Sequence, residues 1–301
     1  MSNKTIWALT DGRPGNDNQT LAVAEKLGAF EVKRIEFSFL AKLHNFLLGR
    51  TFIGVKNKPQ PPYPDIVISA GRKLSRIART IKKRSNAKIV QLMWPGFGHQ
   101  DFDLIFTPKH DNLPPKPNLI EIIGSPNRVT PNLLEEHAAK WRGKIPFTGK
   151  PVVSVLVGNV TNDEADKLIR ILSQIKGYLL ISTSRRTSAY LTNALRELKN
   201  EKYFFEWKAG AENPYFAFLG LADFIIVTGD SQSMCAESVT TGKPAYIFNC
   251  EGPPRHTDFT NYLIESGKAR ALIDCNLKNY EYQPLDMLNF ATNTIREKLE
   301  S

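Results

Sequence analysis

Residues 227–248 read "VTGDSQSMCAESVTTGKPAYIF". The stretch opens on the end of an apolar run, "LADFIIVT", and passes through a small polar turn, "GDSQS". It then reads as a helix, "MCAESVTTG", which Gly242 and Pro244 stop before "PAYIF" restarts an apolar run. Strand, turn, helix and strand in this order are the repeating unit of a parallel sheet wrapped by helices. Gly229 allows close backbone approach in the turn, and Ser231 or Ser233 is placed to cap the helix. The free N–H groups at such a helix start favour a phosphate. Glu237 follows one to two turns later. A carboxylate there either accepts hydrogen bonds from neighbouring hydroxyls, as a ribose presents, or lies on a solvated surface.

The same unit repeats outward in both directions. In the first half, "TIWALT" (5–10), "EVKRIEF" (31–37), "DIVISAG" (65–71), "KIVQLMW" (88–94), "DLIFTP" (103–108) and "LIEIIG" (119–124) read as strands. Helical patterns at 19–27 and 73–84 separate some of them. In the second half the strands are 151–158, 178–183, 203–207, 223–229 and 244–249, with helices at 163–175, 187–199, 214–221 and 232–241. Between the sets, "HAAKWRGKIPFTGKP" (137–151) has the Gly and Pro content of a linker. The expected fold is α/β, two doubly wound Rossmann-like domains facing a cleft, at 1–145 and 146–283. The helical pattern 284–300 is expected to cross back onto the first domain. Ligands of such sheets bind outside the carboxyl ends of the strands, so the loops after each strand matter most.

Composition narrows the class. The chain has 301 residues and no apolar stretch of the length a membrane span needs. The start, "MSNKTIWALTDG", has no signal-peptide pattern, and the three cysteines (235, 250, 275) are too scattered for a disulfide framework. The expected location is cytoplasmic. Residues 1–150 hold 24 Lys and Arg against 12 Asp and Glu, whereas residues 151–301 hold 16 against 18. A basic half suggests an anionic partner. No zinc-finger, RNP-type or GXXG pattern supports nucleic acid as that partner. No His, Asp or Glu cluster has metal-ligand spacing, so neither metal nor other cofactor is expected.

The first loop of the chain, "TDGRPGNDNQ" (10–19), also follows a strand and precedes a helix. Gly12 and Gly15 make it tight. Asp11, Asn16, Asp17, Asn18 and Gln19 fill it with hydrogen-bonding groups. Its glycine spacing is neither that of the dinucleotide fingerprint nor that of a Walker loop. An Asn-capped turn with no ligand is the competing reading. His110 in "TPKHD" ends a strand and either reaches the cleft or is held by backbone. Arg185 and Arg186 in "STSRRTS" lie in a further strand-to-helix loop.

The stretch "RKLSRIARTIKKRSNAK" (72–88) has eight basic residues and no acid. Helical spacing puts Arg72, Arg76, Arg79 and Lys83 on one face and Leu74, Ile77, Ala78 and Ile81 on the other. The basic stripe is either a solvated face or a docking surface. Apolar "FSFLAKLHNFLLGR" (37–50) reads as a helix that packs, lids the cleft or, beside the basic stripe, meets an anionic membrane.

The segments 7–28, 69–75, 106–111, 183–187 and 227–237, taken in order, resemble the mitochondrial fission Elm-type family, a widespread group of bacterial GT-B-like proteins with a plant member. Residues 229–244 are also similar to the donor motif of GT-B glycosyltransferases such as the lipid-II-forming N-acetylglucosamine transferase. The resemblance implies a GT-B-like fold and a nucleotide sugar held by the second domain. The Gly229, Asp230, Ser231, Ser233 turn with Arg185 and Arg186 would meet the diphosphate, Glu237 the ribose, and Arg255, His256 and Asp258 the sugar. The first domain would hold a lipid-linked or cell-envelope glycan acceptor through the 11–19 loop and Arg72, at the inner face of a membrane. Many members carry His where this chain has Asn16, and Asn does not take a proton near neutral pH. Asp17, then Asp11, is the expected base. Alternatives are a sugar-nucleotide epimerase of the same architecture and a non-enzymatic membrane-associated adaptor.

Overall fold

The computed structural model describes residues 4–42 and 45–300. The side chains of His110 and Arg255 lie outside the described residues. The chain divides into two compact units, Met1–Arg128 with Asp286–Ser301, and Val129–Leu285.

The first unit is built from β1 (Ile6–Thr10), α1 (Pro14–Leu27), β2 (Glu31–Arg34), α2 (Asn45–Leu48), β3 (Ile66–Ala70), α3 (Arg72–Arg84), β4 (Lys88–Leu92), β5 (Leu104–Pro108) and β6 (Leu119–Ile122). Among the described residues its strands form one parallel sheet in the order β2-β1-β3-β4-β5-β6. All five residues of β1 and of β3 are buried, as expected for strands covered on both faces. The strand order reverses between β1 and β3, so the loops leaving these two strands flank the switch point.

Three local expectations for this unit change. First, α1 begins at Pro14 rather than at residue 19. Proline at the first helical position forfeits no hydrogen bond and is already at a helical φ. Asn16, Asp17, Asn18 and Gln19 therefore sit in the helix's opening turns. Second, residues 37–50 are not one helix. A 3-10 turn at Phe39–Lys42 and the short α2 occupy the described part. Third, the basic stripe of α3 is not a solvated face. Leu74, Ile77, Ala78 and Ile81 are buried, but Arg76 and Arg79 are only 1% and 3% exposed. Arg76 Nη1 donates to the Thr51 carbonyl at 2.6 Å, and Arg79 Nε pairs with Asp101 Oδ2 at 2.6 Å beneath the Phe97 ring. The crossover around residue 51 and the turn around residue 98 cover the middle of the helix. Arg72 and Lys83 at its ends stay exposed.

The second unit starts with α4 (Pro131–Arg142), followed by β7 (Val152–Leu156), α5 (Asn162–Ser173), β8 (Tyr178–Ser182), α6 (Ala189–Glu197), β9 (Lys202–Phe205), α7 (Tyr215–Leu221), β10 (Phe224–Thr228), α8 (Gln232–Thr240), β11 (Ala245–Phe248), α9 (Pro254–Glu265) and β12 (Arg270–Ala271). Its parallel sheet has the order β12-β11-β10-β7-β8-β9, with the reversal between β7 and β10. The residues 137–151 expected to link the units overlap α4, and the division falls before that helix, at 128/129. Trp141 of α4 packs in one cluster with Tyr178, Leu180, Ala217 and Phe218, and edge-on to Tyr203. That apolar packing ties α4 to the second sheet. The last helix, α10 (Met287–Glu300), belongs to the first unit. Its Ala291 and Ile295 join the cluster of Ala8, Val23 and Ile68, and Arg296 Nη2 donates to the Lys26 carbonyl at 2.7 Å.

Candidate functional site

At the switch point of the second unit one carboxylate holds three loops together. Asp230, 8% exposed, follows β10. Thr228 Oγ1 donates to its Oδ1 at 2.7 Å, and the Asn159 N–H after β7 donates to its Oδ2 at 2.8 Å. Arg186 Nη2, from the loop after β8, pairs with Oδ2 at 2.9 Å. The Gly158 N–H donates to Thr228 Oγ1 at 2.8 Å. A Cβ on Gly158 would lie 2.3 Å from both Asp230 oxygens, so only glycine permits this approach. Thr187 reinforces the joint, since its hydroxyl donates to the Val157 carbonyl and accepts the Ser184 N–H. Arg185 is exposed beside Arg186. The result is a pre-tied polar rim carrying two arginines next to the start of α8.

Ser231 caps α8, accepting the Met234 N–H, while Ser233 is exposed. The Gly229 N–H is spent on the Phe248 carbonyl at 2.9 Å, which seats the turn against β11. Glu237 is 8% exposed and faces α7, where the Tyr215 hydroxyl donates to its Oε2 at 2.5 Å. Burial pushes the Glu237 carboxyl up to about 7, against the lowering effect of that hydrogen bond. A solvated surface glutamate is therefore not what the fold contains. Glu164 joins the next loop to the site: its Oε2 closes a capping box with Thr161, and its Oε1 accepts the Glu251 N–H ahead of α9. His256 is half-buried in the first turn of α9, and Asp258 is exposed.

At the switch point of the first unit the two aspartates divide their tasks. Asp17 turns back from α1 and accepts the N–H groups of Asp11 and Gly12 at 3.0 and 2.9 Å. Both of its oxygens thus brace the turn. Asp11 has a side chain 3% exposed beside Arg13, and burial raises its carboxyl above the usual range, with the Arg13 charge opposing. Asn16 packs on the loop after β3, because a Cβ on Gly71 would come 2.6 Å from Asn16 Nδ2. Arg72, next in the chain, is exposed. Gln19 is buried with its amide on the Gly15 carbonyl, Gly15 and Asn18 are exposed, and Gly12 adopts φ +79°. His110 belongs to the 3-10 turn Lys109–Asp111. Asp17→Ala is expected to cost about 1 kcal/mol by orphaning two turn amides. Urea unfolding of the full chain measures the loss, and faster hydrogen exchange at Asp11 and Gly12 locates it.

Sequence reading had singled out neither Tyr215 nor the Gly158–Asn159 pair. A glycine ending a strand marks the latter, whereas Tyr215 lies 22 residues from its partner with no local signal. Among the described residues no group of three or more His, Cys, Asp or Glu is arranged to hold a metal, and no helix is long and apolar enough to cross a membrane.

Two units, each with a doubly wound parallel sheet and a polar, pre-tied switch point, have a GT-B-like fold. Solved structures agree on the fold. UDP-GlcNAc 2-epimerase from Methanocaldococcus jannaschii superimposes with a TM-score of 0.61 at 13% identity, over 99% of this chain and 100% of that one. The Neisseria meningitidis UDP-GlcNAc 2-epimerase bound to UDP-GlcNAc gives 0.58 at 14%, over 98% and 99%. The glycosyltransferase SnogD from Streptomyces nogalater gives 0.54 at 15%, over 99% and 95%. The chain itself belongs to the mitochondrial fission ELM1 family, whose model matches residues 14–299. It is 30% identical to the uncharacterized protein RP120 of Rickettsia prowazekii, covering 93% of this chain and 94% of that one. It is 25% identical to the mitochondrial fission protein ELM1 of Arabidopsis thaliana, covering 82% and 67%.

Proposed function

We propose that the protein is a glycosyltransferase that takes a sugar from a nucleotide-sugar donor. The observation that carries this is Glu237, a buried glutamate only 8% exposed, set one turn beyond a three-loop polar rim with two arginines. A buried carboxylate needs partners: Tyr215 supplies one, and a ribose hydroxyl would supply another. Arg185, Arg186 and the capped start of α8 favour the diphosphate. Structures of similar fold act on or hold UDP-GlcNAc, which makes uridine nucleotides the first donors to try.

In this reading an acceptor hydroxyl attacks the anomeric carbon of the donor sugar. The bond from that carbon to the phosphate oxygen breaks, the nucleoside diphosphate leaves, and the hydroxyl proton passes to Asp11. Asp11 is preferred over Asp17 because Asp17 spends both oxygens on short turn hydrogen bonds, whereas Asp11 meets Arg13, through its N–H at 3.3 Å and a looser ion pair at 3.6 Å. The arginines stabilise charge growing on the leaving diphosphate. The acceptor is proposed to be a lipid-linked glycan. Exposed Phe39, Leu47, Ile53 and Phe97 would seat the first unit on a membrane. The second reading, a non-enzymatic adaptor, is favoured by Asn16, a non-ionisable residue packed against Gly71.

Calorimetry of the full chain against UDP, GDP, ADP, CMP and dTDP sugars tests the choice. One nucleotide is expected to bind, and Glu237→Ala is expected to weaken it by about 2–3 kcal/mol, the loss of charged hydrogen bonds. A folded protein that binds none of them would sink the transferase reading and favour the adaptor.

A further inference from the structure

Glu237 is held in an unusual way for a ligand-binding carboxylate. It has one protein partner among the described residues, the Tyr215 hydroxyl on Oε2. Its second oxygen has no protein donor there, although the residue is only 8% exposed. Tyr215 opens α7, on a different crossover from α8, and is itself half-buried against Phe216. We propose that Tyr215 is a positioning residue: it orients Glu237 and keeps it ionised, so that the free oxygen captures a hydroxyl of a ribonucleotide. This rests on the nucleotide-site reading of α8 and adds to it a residue and a pH dependence.

A carboxylate with one oxygen pinned by a phenol loses its rotational freedom, so its other oxygen is aimed in advance. A hydrogen bond donated to the carboxylate favours the charged form, whereas burial favours the neutral one. The two effects oppose each other at Glu237 and leave it titrating at about 7. The charged or titratable groups acting on the pair are each other and Cys235 of α8. The effects on Glu237 itself are burial and the Tyr215 hydrogen bond. Lys243 beyond the helix answers to Asp223 and Glu135, and Asp230 before it to Arg186. Without the phenol, burial acts unopposed and the Glu237 titration moves to higher pH. Ligand capture, which needs the charged acceptor, then fails at neutral pH and returns in alkali.

The experiment uses the full chain, with UDP as probe, from pH 6 to pH 9. Wild-type affinity is expected to rise with pH through neutrality. Tyr215→Phe is expected to bind UDP about tenfold more weakly at pH 7, the scale of one charge-assisted hydrogen bond, and to recover most of that loss at pH 9. Wild-type affinity and pH profile in Tyr215→Phe would overturn the assignment. A weakening that is equal at every pH would overturn it too, because it would mark a merely structural role. A ligand-free measurement separates this from the broader reading. The protonated-carboxyl infrared band assigned to Glu237, by its loss in Glu237→Gln, should persist to higher pH in Tyr215→Phe than in wild type. If wild type binds neither UDP nor GDP, ADP, CMP or dTDP while the band shifts, the nucleotide reading is wrong and the Tyr215–Glu237 coupling stands. If the band does not shift, the coupling is wrong whatever UDP does.

Discussion

Asp101→Ala is expected to be the most destabilising single change in the first unit, at about 3–5 kcal/mol, because it strands a buried charge. Arg79 has a side chain 3% exposed, and Asp101 Oδ2 is its ion-pair partner at 2.6 Å. The same carboxylate reaches Arg50 through Oδ1 at 2.5 Å. Among the described residues, removing it leaves the Arg79 guanidinium under the Phe97 ring with a long contact to the Phe97 carbonyl, 3.4 Å from Nη1. That does not replace a carboxylate for a guanidinium whose side chain is only 3% exposed. Thermal unfolding of the full chain should show its first transition fall by on the order of 10 °C. The double variant Arg79→Met, Asp101→Leu should recover most of the loss, since apolar replacement of both partners removes the stranded charge. Equal instability in the single and double variants would count against the buried-pair account.

The second large effect is expected at Gly158. Alanine there would place a methyl carbon 2.3 Å from Asp230 Oδ1 and Oδ2. The carboxylate cannot retreat without leaving Thr228, the Asn159 N–H and Arg186. Overpacking a fitted site of this kind costs about 1–3 kcal/mol, and here the clash also releases Arg186. Gly158→Ala should therefore lower stability and abolish the proposed nucleotide binding together. A double-mutant cycle with Asp230→Ala isolates the contact. The two changes should be strongly non-additive, because each removes the same joint. Additive losses would mean that the loops relax around the methyl group without disturbing Asp230.

Much of the fold was legible because its signals are local. Apolar runs separated by amphipathic segments identify each strand and helix, and an alternating order of the two implies a parallel sheet. The 227–248 stretch carries its whole unit, from β10 through the Ser231 cap and α8 to β11. Glu237 was visible there as a carboxylate on a helix, and Asp11 and Asp17 as acids in a tight turn. Which of these acids braces the turn was not visible. Asp17 is the one whose oxygens meet two N–H groups, and that depends on α1 starting at Pro14 rather than at residue 19.

The basic stripe shows the limit most clearly. Helical periodicity placed Arg76 and Arg79 opposite the apolar face, where charges ordinarily meet water. In the fold both are buried, because Thr51 and Asp101, 25 and 22 residues away, close over them. Tyr215 and Glu237 meet in the same way across 22 residues. The amino-acid order by itself determined the α/β rhythm, the switch-point loops and the kinds of side chain they carry. Only the tertiary structure decided which charges are buried, which partner each one has, and hence which carboxylates are poised and which are spent. The reason is that backbone periodicity is set within a few neighbouring residues, whereas the desolvation and pairing of a charge depend on whatever distant segment the fold lays against it.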